Sequence, residues 1–145
     1  MDLIATINES WGWVGIDPSR IVAENDFGNL IIEDTDGRYW RLCPEDTYCV
    51  IVANSEAEFD ELKRRPEFTV DWEMASLTEA ARLSLGELPI GRKYCLRTPG
   101  ILGGAYEVEN VGTVTLDELI SFSGDLGYQL KDIPDGTQVV LKVVD

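Results

Sequence analysis

Leu30-Ile31-Ile32-Glu33-Asp34-Thr35-Asp36-Gly37-Arg38-Tyr39-Trp40-Arg41-Leu42 is the stretch that decides the fold. Two runs rich in β-branched, aromatic and apolar residues flank an Asp-Gly pair, and a tight primed turn needs the positive φ that glycine adopts freely. The stretch predicts an antiparallel hairpin. Tyr39 and Trp40 alternate along the second strand, so one of the two is expected to face away from the core. A third strand over residues 48–53 follows Pro44-Glu45-Asp46. Upstream, Leu3, Ile4 and Ile7 lie at helical spacing and predict a short helix over residues 2–10, ended by Trp11-Gly12-Trp13. Asp17-Pro18-Ser19 reads as a turn.

Downstream of the third strand the pattern becomes helical. Ser55-Glu56-Ala57-Glu58 is a capping box, in which the serine hydroxyl accepts from an early N–H and the glutamate reaches back. It predicts a helix to Arg65 with Phe59 and Leu62 inward. Pro66 opens a second helix, whose Val70, Met74, Leu77, Ala81 and Leu85 form one apolar stripe ending near Gly86. Residues 93–97 read as a strand, and residues 105–108 with 111–114 as a strand pair or one interrupted strand. Thr115-Leu116-Asp117-Glu118 is a second capping box, before a helix burying Leu116, Leu119, Ile120, Leu126 and Leu130. Gly124 and Gly127 inside that helix each cost about 1 kcal/mol relative to alanine, so they imply close approach of the helix to a sheet. Asp135-Gly136 turns the chain into a last strand over residues 138–144. Strands and helices do not alternate as a βαβ series, so the fold class is α+β with a mainly antiparallel sheet, one domain over residues 1–145.

Charge and residue types narrow the function. The 145 residues include 12 Lys+Arg, 27 Asp+Glu and no histidine, net −15. Such a surface repels nucleic-acid backbones and anionic membranes and attracts basic protein partners. The acid is uneven: residues 1–60 carry 13 acidic and 3 basic side chains, against 14 and 9 in the remainder. Without histidine there is no Ser-His-Asp triad, no Cys-His dyad and no His-containing zinc site. No apolar run is long enough to span a membrane, and the first residues carry Asp2 and Glu9 instead of the basic region of a secretory signal. Cys43, Cys49 and Cys95 fit neither a CxxC motif nor a zinc knuckle and read as free structural thiols of a cytoplasmic protein.

Three motifs invite chemistry and fail its requirements. Placing Gly37 at position six of a calcium loop puts Ile32 at position one and Cys43 at position twelve, where carboxylates are needed. Gly100-Ile101-Leu102-Gly103-Gly104 lacks the Lys-Ser/Thr of a phosphate-binding loop and reads as a turn needing positive φ. Ser121-Phe122-Ser123-Gly124-Asp125 lacks the order of a nucleophile elbow. No metal, nucleotide or other cofactor is expected.

Several segments together resemble a family of bacterial type VI secretion immunity proteins, once catalogued as a domain of unknown function. They are Trp11-Gly12-Trp13 through Gly15, Phe27-Gly28-Asn29-Leu30, Tyr39-Trp40-Arg41-Leu42-Cys43-Pro44-Glu45, Leu102-Gly103-Gly104-Ala105-Tyr106, Ile120-Ser121-Phe122-Ser123-Gly124-Asp125, and Lys131-Asp132-Ile133-Pro134-Asp135-Gly136. The resemblance implies a cytoplasmic antidote that binds the toxin domain of its own cell's effector, commonly a DNase, and it brings no catalytic motif with it. Members often carry an additional N-terminal domain, which is expected to be missing or short here. Cognate specificity demands a surface that differs among members, so the shared segments are expected to bear the fold rather than the toxin.

The net charge suits such a role, because a nuclease domain must be cationic to hold DNA. The toxin-binding residues expected from the hairpin and its neighbouring loops are Glu24, Asp26, Asp34, Asp36, Glu45 and Asp46, with Trp13 or Tyr39 as an apolar anchor. The alternative is a small α+β module that binds another protein or a small ligand with no toxin involved.

Overall fold

The computed structural model describes residues 2–133. The first helix, α1 (Leu3–Trp11), begins where the Asp2 carboxylate accepts from the Ala5 N–H at 3.2 Å. A 3₁₀ turn over Gly12–Val14 leads into β1 (Pro18–Glu24). The turn expected at Asp17-Pro18-Ser19 is instead the start of this strand. β1 is the outer strand of its sheet, and proline is tolerated at the first residue of an edge strand.

β2 (Leu30–Asp34), β3 (Tyr39–Cys43) and β4 (Tyr48–Ala53) complete a four-stranded antiparallel sheet in the order β1-β2-β3-β4. The predicted hairpin joins β2 to β3, with a different turn from the primed one. The Gly37 N–H donates to the Asp34 carbonyl at 3.1 Å, and the Asp34 N–H to the Arg38 carbonyl at 2.9 Å. Gly37 has φ +82°, while Asp36 keeps a negative φ. This is a three-residue loop in which an ordinary turn is closed by one left-handed glycine.

The Asp34 carboxylate holds that loop from within. It accepts from the backbone N–H groups of Asp36 and Arg38 at 2.9 Å each, the Trp40 indole at 2.8 Å and the Arg38 guanidinium at 3.1 Å. Burial opposes its ionisation, but these donors outweigh burial and hold its pKa below the ordinary value. The stability it contributes is therefore complete above the unfolded-state pKa and lost as pH falls through the depressed folded value. Asp34→Ala is expected to cost about 2 kcal/mol by stranding the indole and two amides. Urea melts at pH 7 and pH 3 test this, and the deficit should shrink at the lower pH.

Both faces of the sheet are covered. Leu30, Ile32, Trp40, Leu42 and Cys49 face a core with Ile7 and Trp11 of α1 and with Leu116 and Ile120 of α5 (Leu116–Leu130). Ile31, Tyr39 and Ala53 pack on the other face against Phe59 of α2 (Glu56–Lys63), with Phe68 and Trp72 of α3 (Pro66–Glu73) beside it. Tyr39 stacks on Phe59 at 4.7 Å between ring centroids. Tyr39 and Trp40 are thus both buried, each in a different core, and neither faces solvent as one was expected to do.

The hydroxyl caps of both predicted boxes form, while the glutamate half appears only for α2 and reaches one residue further back than the cap. Ser55 Oγ accepts from the Glu58 N–H at 3.2 Å while Glu58 reaches back to the Asn54 N–H at 2.7 Å, and Thr115 caps α5 through the Glu118 N–H. The long second helix does not form as one piece. α3 ends at Met74, whose φ of +48° is left-handed, and α4 (Ala75–Leu85) starts anew. The Asn25 side chain donates to the Trp72 carbonyl at 2.8 Å at this break. Ala81 is buried with Phe27, Tyr94, Leu96 and Val111, and Met74 and Leu77 pack on that second core, while Val70 on the same predicted stripe is exposed.

β5 (Arg92–Leu96) and β6 (Val111–Thr115) form a separate antiparallel pair. Residues 105–108 do not form the expected strand, because Asn110 ties them into a loop. Its amide donates to the carbonyls of Thr98 and Ala105 and its oxygen accepts from the Thr98 N–H. Gly103 takes the positive φ expected of this loop, +87°. Gly104 is needed for a different reason: a Cβ there would sit 1.7 Å from the Thr98 carbonyl oxygen. The expected turn at Asp135-Gly136 and the strand over residues 138–144 lie outside the described residues. The architecture is α+β with antiparallel sheets.

Candidate protein-binding cleft

Where β3 runs into β4, the chain passes Pro44-Glu45-Asp46 opposite the break between α3 and α4. A cleft of about 380 Å³ lies here, lined from the sheet side by Arg41, Cys43, Glu45, Asp46 and Tyr48, and from the helices by Val70, Asp71, Met74 and Leu77. Tyr106, from the loop after β5, closes one side.

A buried polar chain forms its floor. Asn29, fully buried, donates through Nδ2 to both Glu45 carboxylate oxygens at 2.9 Å. Its Oδ1 accepts from Nε and Nη2 of Arg41 at 3.2 and 3.0 Å. Arg41 Nη1 pairs with the exposed Asp71 carboxylate, and the guanidinium lies 5.3 Å above the Trp72 ring. Each of the three guanidinium nitrogens of Arg41 thus has a partner, which is why a charged residue is tolerated in a fully buried strand.

Burial sets the proton affinities. It pushes the Glu45 carboxyl up, against the opposing pull of the Asn29 amide. Burial and then the Glu45 charge push the Cys43 thiol up, and burial alone carries Cys49 up to about 12. Burial is also the main cause of the raised Tyr48 and Tyr106 phenols; the Asp46 carboxylate adds to it at Tyr106. A nucleophile needs the opposite shift. Protein-thiol labelling is accordingly expected to be slow at Cys43 and Cys49 in the folded protein at pH 8 and fast in urea.

The eight residues expected at a toxin interface divide by location. Glu24, Asp26, Asp36 and Asp46 are exposed, Asp46 at the cleft. Asp34, Tyr39 and Glu45 are buried, so the expectation that they project from the surface is corrected: their polar atoms or rings serve the turn, the second core and the cleft floor. Trp13 is 37% exposed and rigid. It stacks on Trp11 at 5.6 Å, meets Tyr128 edge-on, and donates to the carbonyls of Ser10 and Gly124. Asn29, Arg41, Asp71 and Tyr106 were not anticipated. The signal for Arg41 was in plain view, as an arginine inside an otherwise apolar strand.

The fold and cleft define a strongly acidic α+β domain with an open, partly apolar cleft. Residues 53–127, more than half the chain, match the family described as type VI secretion system immunity protein Tdi1, C-terminal, and the protein belongs to that family. The match spans α2 to most of α5, including Leu102–Tyr106 and Ile120–Asp125 of the resembling segments. A search of curated proteins found no match. Among the described residues no helix is long and apolar enough to cross a membrane.

Proposed function

We propose that this protein neutralises a cognate type VI antibacterial toxin by binding it directly, and that the toxin is a nuclease. The family match over residues 53–127 carries the reading. The net charge of −15 supports the nuclease part, since acidic side chains can occupy positions that phosphates would take on a cationic domain. In this reading the protein acts in the cytoplasm as one binding unit, without a cofactor and without catalysis of its own; burial of the thiols and phenols at the cleft, which shifts them away from nucleophilic forms, supports the binding role. Exposed Glu24, Asp26, Asp36 and Asp46 lie on the toxin-facing surface, with Trp13 as an anchor.

Co-expression with the effector encoded by the neighbouring open reading frame tests the proposal. A stable complex and restored growth are expected; an effector that remains toxic and elutes alone refutes it. Reversing Glu24, Asp26 and Asp36 together breaks the Glu24–Lys93 and Asp36–Arg38 pairs and lowers the melting temperature somewhat, so binding is compared well below it, where association should slow about tenfold at low salt. An unchanged rate would place the toxin on another face.

A further inference from the structure

We infer that the cleft between the β3–β4 turn and the α3–α4 break receives one lysine or arginine side chain of the toxin domain, an inference that rests on the immunity reading above. A long basic side chain asks two things of a pocket: an apolar sleeve for its methylenes and a carboxylate for its head. Val70, Met74 and Leu77 supply the sleeve. Val70 is 73% exposed, an apolar surface that the fold itself leaves unused. Asp46 and Asp71 supply carboxylates at the solvent side of the same cleft.

The sign of the occupant follows from the charges. The lining holds three carboxyl groups, Glu45, Asp46 and Asp71, against one guanidinium. The Arg41 charge is already spent on Asn29, Asp71 and the Trp72 ring. An acidic side chain entering here meets Asp46 and Asp71 and is repelled. A neutral one strips water from those carboxylates without replacing it. Asp71 already has Arg41, so an entering cation completes Asp46, and a concave acidic site also concentrates the field that draws it in. The size agrees as well, since about 380 Å³ accommodates a long side chain and not a folded segment.

Binding kinetics with the catalytically inactivated toxin domain from the neighbouring open reading frame provide the test. Ser76 lies exposed at the cleft and takes no part in the polar floor, so Ser76→Trp fills the space without disturbing the network. Dissociation of the Ser76→Trp complex is expected to be about 30-fold faster, the scale of losing one central anchor. Asp46→Asn keeps the shape and removes a charge; it is expected to speed dissociation about tenfold. It should also abolish the penalty of mutating one particular toxin lysine or arginine to alanine, which a purely steric effect would not do. If Ser76→Trp lowers the melting temperature, the Asp46→Asn cycle alone decides. Wild-type binding with unchanged dissociation in both variants overturns the cleft assignment and leaves the immunity reading standing. Absence of wild-type binding overturns both.

Discussion

Gly124→Ala is expected to destabilise the protein by about 3 kcal/mol, a large loss for removing no atom at all. A Cβ at this position would stand 2.3 Å from the Ser10 carbonyl oxygen and 2.7 Å from the Ser10 carbonyl carbon. These are backbone atoms of α1, so they cannot swing aside. The Trp13 indole pins the same place, donating to the carbonyls of both Ser10 and Gly124. Alanine would gain about 1 kcal/mol of helix propensity, which is too little to offset separating two helices. Gly127→Ala makes the comparison informative. Its Cβ would meet only side-chain atoms, of Trp13 at 3.0 Å and Thr47 at 3.1 Å. Propensity and crowding then nearly cancel, and a change within about 1 kcal/mol is expected. Urea melts of the two variants check the ranking. Equal midpoints would mean that Gly124 does not set the distance between α1 and α5.

Asn29→Ala is expected to cost about 3–5 kcal/mol, because one amide satisfies two opposite charges in the interior. Removing it takes the donor from both Glu45 oxygens and the acceptor from two Arg41 nitrogens. The pH dependence gives a signature that lost packing alone does not. Burial already raises the Glu45 carboxyl in the folded state, so the ionised form is the penalised one. That penalty is present above the folded pKa and relieved as pH falls through it. Without Asn29 the penalty grows, so the deficit of Asn29→Ala relative to wild type should narrow as pH falls from 7 toward the ordinary carboxylate range. A deficit constant over that fall in pH would assign the loss to the cavity instead.

The glycines also show how far sequence reasoning reached. Their helix-weakening cost announced a close approach, and that approach exists. Its partner is α1 for Gly124 and the Trp11–Trp13 pair for Gly127, not a sheet, because a one-dimensional pattern records that space is needed and not what fills it.

The sequence by itself determined the features governed by neighbours along the chain. The hairpin between β2 and β3, the capped starts of α2 and α5, the free cysteines and the acidic field all follow from contacts within a few residues or from composition. Family membership was legible too, through segments dispersed over the chain. Only the tertiary structure decided the rest. Helical periodicity ran straight through Met74, yet the second core and the Asn25 bond to Trp72 turn the chain there. Asp34 and Glu45 looked like projecting acids, yet donors from the turn and from Asn29 draw them inside. The cleft exists because Asn29, Arg41, Glu45 and Asp71 meet from two elements, β3 and α3, and two loops. Carboxylates are solvated by default, and only a partner brought from far along the chain can compensate for taking one out of water.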